Sequence, residues 1–148
     1  MLLQLIGTQL AQYLTKEHIY EDDYFRISID DIKSALEPGD VVLVEGQSRV
    51  SSAIQFITNS NWSHAAIFIG EAGSLCHCLI EVKEVDGCKF TDIDVYMHHN
   101  LRICRPVFLN NKKRKILIDY LVKKIGSKYD LKNIIDLIRY VFPNPPVP

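Results

Sequence analysis

One imidazole and one carboxylate stand where general acid–base chemistry could be done. His64 opens a strand-like run, Asn61-Trp62-Ser63-His64-Ala65-Ala66-Ile67-Phe68-Ile69-Gly70, and Glu81 interrupts a second apolar run, Leu79-Ile80-Glu81-Val82. Neighbouring strands would bring the two side chains together. The ring can then move a proton near neutral pH, while the carboxylate accepts the other ring N–H, sets the tautomer and favours the charged ring. Taken singly, His64 also suits a hydrogen-bonded structural histidine, and Glu81 a strand-edge carboxylate paired with a lysine. The chain shows no obvious nucleophile beside them.

The four cysteines do not fill that gap. Cys76 and Cys78 flank His77 on one apparent strand, and Cys88 and Cys104 also sit in strand-like contexts. A reactive thiol favours a helix N-terminus or a cationic neighbour, so these read as small core hydrophobes. Cys76-His77-Cys78 invites a zinc reading, but its two thiols are one residue apart, closer than the usual ligand spacing, and no metal or other cofactor is expected. Trp62, Ser63 and Tyr129 are candidate substrate-binding residues. Trp62 serves equally well as a core aromatic, and Tyr129 as a ring packed at the start of the last helix.

The elements that must position these groups can be read from periodicity and turn residues. Leu3, Ile6, Leu10 and Leu14 recur at helical spacing, and the charged, tyrosine-rich stretch 17–25 suits a surface connection. Ser28-Ile29-Asp30-Asp31 starts a short helix to about Leu36, and Pro38-Gly39-Asp40 turns the chain into the buried strand Val41–Val44, ended by Gly46. Ser48 caps a helix whose stripe is Val50, Ala53, Ile54 and Ile57, closed by Asn59-Ser60-Asn61. Strands are expected at His64–Gly70, Leu75–Val85 and Leu101–Val107, with a hairpin-type turn at Asp86-Gly87 before Cys88-Lys89-Phe90 and a short helix within Asp92–His98. Two helices follow, separated by Gly126. One carries Ile118, Leu121, Val122 and Ile125 inward; the other carries Leu131, Ile134, Ile135, Ile138, Val141 and Phe142.

At 148 residues and 47% hydrophobic, the chain suits one packed core. Its net charge of −1 hides an asymmetry, for residues 1–98 carry 15 acidic and 6 basic side chains and residues 99–148 carry 3 acidic and 11 basic. Attraction between the two halves explains this more simply than an external anion. Lys112-Lys113-Arg114-Lys115 stands at a helix start, where positive charge opposes the dipole, and reads as a solvated basic turn. No 18-residue apolar stretch spans a bilayer, and the first segment lacks the basic flank and cleavage site of a signal peptide. A cytoplasmic setting with reduced thiols is expected.

Taken in order, Pro38-Gly39-Asp40-Val41-Val42-Leu43-Val44-Glu45-Gly46, Ser52-Ala53-Ile54, Trp62-Ser63-His64-Ala65-Ala66, Leu79-Ile80-Glu81-Val82 and Lys128-Tyr129-Asp130 resemble the YiiX/YebB-like family. That family is a circularly permuted branch of the NlpC/P60 papain-like cysteine hydrolases. The resemblance implies an α+β fold, a small antiparallel sheet packed against helices. It implies a helical extension at 1–37, the core at 38–142, and a proline-rich linker at 143–148. It also implies that His64 matches the catalytic histidine and Glu81 its orienting partner. The nucleophilic cysteine would head a later helix beyond Pro148, so this chain alone is expected to be inactive. The substrate would be a small molecule, peptide or lipid with an amide, thioester or ester carbonyl, and no nucleic acid is expected. Two other readings stand beside it: a non-catalytic acyl- or peptide-binding domain, and a membrane-peripheral protein whose Met1–Leu14 helix and Lys112–Lys115 cluster meet anionic lipid.

Overall fold

The computed structural model describes residues 27–83 and 86–128. The expected helices at 3–14 and 131–142, the Pro143–Pro148 segment and Tyr129 lie outside them. Helix α1 (Ile29–Ala35) begins where the Ser28 hydroxyl accepts from the Asp30 amide, and Asp30 and Asp31 complement the dipole in its first turn. It ends before Glu37-Pro38, since a residue preceding proline is driven out of the helical region. Strand β1 (Val41–Val44) follows a turn at Gly39, whose φ is +97°. The positive φ favours glycine there, and a Cβ built on it would lie 2.5 Å from the end of the Leu109 side chain, which would have to shift.

Helix α2 (Arg49–Thr58) is capped by Ser48, which accepts from the Ser51 amide, and closes on Asn59 in the left-handed conformation. Strands β2 (His64–Ala72), β3 (Leu75–Lys83) and β4 (Gly87–Asp92) form a meander, a 3-10 turn (Ile93–Tyr96) follows, and β5 (Leu101–Cys104) leads to helix α3 (Asn111–Val122). The sheet is antiparallel in the order β4-β3-β2-β1-β5. One face buries Val42, Val44, Ala66, Phe68 and Leu79 against Ile32 of α1 and against Ile93 and Tyr96. The other buries Ile69, Cys78, Ile80 and Cys88, with Ile118, Leu121 and Ile125 packed on them from the α3 side. This is the α+β arrangement expected.

Several boundaries moved. β2 runs past Gly70 to Ala72 because Gly70, with φ +91°, takes up a register shift and does not end the strand. β5 stops at Cys104 and does not reach Val107: the Arg105 side chain turns to Asp40, Glu37 and the Ala35 carbonyl, and Pro106 has no N–H for a ladder. Val122 is 44% exposed and does not face the core, because α3 ends there and the chain turns toward Gly126. Cys76 is exposed as well, so of the four thiols only Cys78 and Cys88 are buried core residues.

Candidate active site

Strand alternation decides which groups can meet. On β1, Val42 and Val44 point into the cluster beneath α1, and His64 stands directly opposite Val44. On β3, Leu79 points into the same cluster, so Glu81 two residues on shares that face. The result is a contact of 2.7 Å between His64 Nε2 and Glu81 Oε2. Seventeen positions apart in sequence, the two are brought together by the β2–β3 pairing.

Glu81 is 2% exposed, and its carboxylate is held by more than the imidazole. Thr91 Oγ1 on β4 donates to Oε1 at 2.5 Å, and the Tyr96 hydroxyl donates to Oε2. Lys83 Nζ lies 3.7 Å from Oε1 and 5.4 Å from the centroid of the Tyr96 ring. Burial on its own would push this carboxyl up. The donors His64, Thr91 and Tyr96, with the Lys83 charge, outweigh it and bring the pKa down to about 2. An ionised Glu81 can only accept, so Nε2 of His64 carries the proton toward it and Nδ1 is the ring nitrogen left for chemistry.

His64 lines a cavity of about 110 Å³, together with Val44, Gly46, Ser48, Ser51, Ile54, Ser63, Lys83, Tyr96 and His99 among others. Gly46 forms part of its wall. Its N–H donates to Ser63 Oγ at 3.0 Å, and a Cβ there would lie 2.3 Å from Ser51 Oγ and 2.7 Å from Ser63 Oγ. Gln55 Nε2 donates to both the Gly46 and Asn61 carbonyls, at 3.2 Å and 2.8 Å, which ties α2 to the segments on either side of it.

Of the residues singled out from the sequence, the fold places His64 and Ser63 in the lining of this cavity and Glu81 in contact with His64, buried from it. Trp62 is half-buried and is not among the residues lining it, and Tyr129 lies outside the described residues. Thr91, Tyr96 and Lys83 were not picked out by sequence reasoning. Thr91 and Lys83 follow from strand alternation around Glu81 once the pairing of β3 with β4 is known. Tyr96 had no such signal, because it arrives from the short turn after β4.

The thiols are on the other side. Cys78 lies in the cluster beneath α3, and Cys76, two residues before it on β3, shares its side of the strand. Cys88 stands opposite Val82, and Cys104 stands opposite Val41, which faces away from the Val42–Val44 cluster. None of the four is on the sheet face of His64 and Glu81. Burial pushes the Cys78 and Cys88 thiols up, the reverse of activation. Cys76 and Cys78 also point away from the face where His77 stacks on Phe68 at 6.5 Å, and among the described residues no three His, Cys, Asp or Glu side chains gather as a metal site.

No curated protein matches the chain. A family model described as permuted papain-like amidase enzyme, YaeF/YiiX, C92 family matches residues 35–140, a span that takes in β1, α2, His64, Glu81 and the rest of the sheet. The chain therefore belongs to the permuted papain-like amidases of the YaeF/YiiX type.

Proposed function

We propose that the protein is a cysteine hydrolase of the permuted papain-like type, acting on an amide, thioester or ester carbonyl through a Cys-His-Glu constellation. His64 is the general base and acid, Glu81 orients it, and the nucleophilic cysteine comes from outside residues 1–148. The observation that carries this reading is the 2.7 Å contact between His64 and a buried, ionised Glu81 at a cavity that no described thiol faces.

In this mechanism the thiol passes its proton to Nδ1 of His64 and the thiolate attacks the carbonyl carbon. An unperturbed thiol, with a pKa near ~8.5, is mostly neutral at pH 7, which is why it needs an adjacent base. As the tetrahedral intermediate collapses, Nδ1–H protonates the departing amine, thiol or alcohol. Water then loses a proton to Nδ1, attacks the acyl-enzyme and releases the acid. Glu81 stays ionised throughout and favours the charged ring formed at each stage. Ser63 lines the cavity beside His64, and Trp62, next to it in the chain, and Tyr129 contribute to substrate binding in this reading.

The test is labelling of the product of the whole gene with an electrophilic thiol probe, followed by mass spectrometry of the labelled peptide. Labelling at a cysteine beyond Pro148 that His64→Ala slows is the expected result. His64-dependent labelling at Cys76, Cys78, Cys88 or Cys104 would overturn the assignment. Absence of any His64-dependent labelling would favour the binding-domain reading.

A further inference from the structure

Resting on that reading of the site, we propose that Lys83 selects substrates carrying an anionic group, a carboxylate or a phosphate, close to the scissile carbonyl. Lys83 is the last residue of β3 and shares the face of Glu81 and His64 by strand alternation. Its side chain is 34% exposed, so the ammonium is held at the cavity wall and still open to a ligand.

Three features favour an anion in the cavity that Lys83 lines. Among the described residues lining that space, Lys83 carries the one fixed charge and no carboxylate is present. Among the described residues its carboxylate partner is Glu81, which is buried and shared among His64, Thr91 and Tyr96, with Lys83 the most distant of the four groups at 3.7 Å. The same lining offers hydroxyls from Ser48, Ser51 and Ser63, and α2 begins there with no acidic residue in its first turn. A carboxylate or phosphate oxygen entering beside His64 therefore finds an ammonium and serine hydroxyls in the lining of one cavity. A cationic substrate meets the same ammonium as a repulsion. Lys83 also rests over the Tyr96 ring, which limits its rotamers and lowers the entropy lost when it engages an anion.

The experiment is an NMR titration of the full chain with glutarate, inorganic phosphate and the neutral isostere glutaramide, followed at the amides of Gly46, Ser48 and Ser51. We expect at least one anion to bind about tenfold more tightly than glutaramide, the discrimination one partly desolvated charge contact confers. Lys83→Met, which keeps the stem, abolishes the preference, and Lys83→Arg retains it. Whichever of the two anions is favoured identifies the group. Equal affinity for all three probes, no binding of any of them, or an undiminished preference in Lys83→Met would overturn the proposal. Should Lys83→Met fail to give a folded spectrum, Lys83→Gln replaces it and is judged by the same criterion. Binding is read without turnover, so this result stands apart from His64-dependent labelling, which tests the hydrolase reading.

Discussion

At Glu81, four contacts converge on one carboxylate that is nearly withdrawn from water. A group held at about 2 in the folded protein against 4.5 as its ordinary value stabilises the fold above the higher pH and loses that contribution as pH falls toward the lower. The difference corresponds to about 3 kcal/mol. Urea unfolding at pH 7 and pH 3 checks this: wild type loses stability between them, and Glu81→Gln, which keeps the shape but not the charge, loses clearly less. The same substitution leaves His64 Nε2–H facing an amide that can present either end. In the whole gene product, it is expected to slow His64-dependent turnover by about 10²–10⁴-fold, as removal of an orienting carboxylate does elsewhere, with a smaller effect on KM. Rates measured on a chromogenic ester decide it. The pairing of His64 with Glu81 could be proposed from residue type and position, because one opens an apolar run and the other interrupts the next. Thr91 and Tyr96 could not, since a threonine in a strand and a tyrosine in a turn are ordinary packing residues until the fold points both at one oxygen pair.

The secondary-structure elements are fixed by a turn at each end of β1. At the first, Asp40 is 1% exposed; its Oδ2 accepts from the Glu37 amide at 2.8 Å, and both oxygens receive the Arg105 guanidinium at 3.0 and 2.8 Å. Burial alone would raise this carboxyl, but the Arg105 contact and the Glu37 amide hold it below its ordinary value. Arg105 also reaches Glu37 and the Ala35 carbonyl, and Arg114 of α3 reaches Glu37. Asp40→Asn breaks the charge pairing and is expected to cost about 2 kcal/mol or more, measurable as a lower urea midpoint. This cluster also joins the acidic first part of the chain to the basic last part, the attraction that the charge asymmetry suggested. At the second turn, Gly46→Ala drives a methyl group into Ser51 and Ser63 and pushes α2 off the cavity. It should shift the Ser48 and Ser51 amide signals and weaken His64-dependent labelling, whereas Ser48→Ala removes one cap and costs about 1 kcal/mol. Helix caps and the Pro-Gly-Asp turn were legible because they act over three or four residues. The ends of β2 and β5 were not, because Gly70 as a bulge and Arg105 as an ion-pair donor have meaning only against a partner strand.

Across the whole molecule, the sheet sorts its chemistry by face: imidazole and carboxylate on the side of α1, thiols on the side of α3. A colorimetric thiol titration of the native chain should show Cys76 reacting first and Cys78 and Cys88 protected until denaturant is added; simultaneous reaction of all four would contradict this burial. Among the described residues no helix is long and apolar enough to cross a membrane. Local order in the chain was enough to read the strands, the capped helices, the resemblance to permuted papain-like hydrolases and the two residues most suited to proton transfer, since periodicity, capping and motif order are properties of neighbouring residues. Which face each side chain occupies, that Lys83 and Tyr96 join Glu81, that Gly46 lets α2 approach, and that every cysteine of the sheet turns away from His64 were decided by strand register. A shift of one residue reverses every side chain on a strand, and only the packed sheet selects the register.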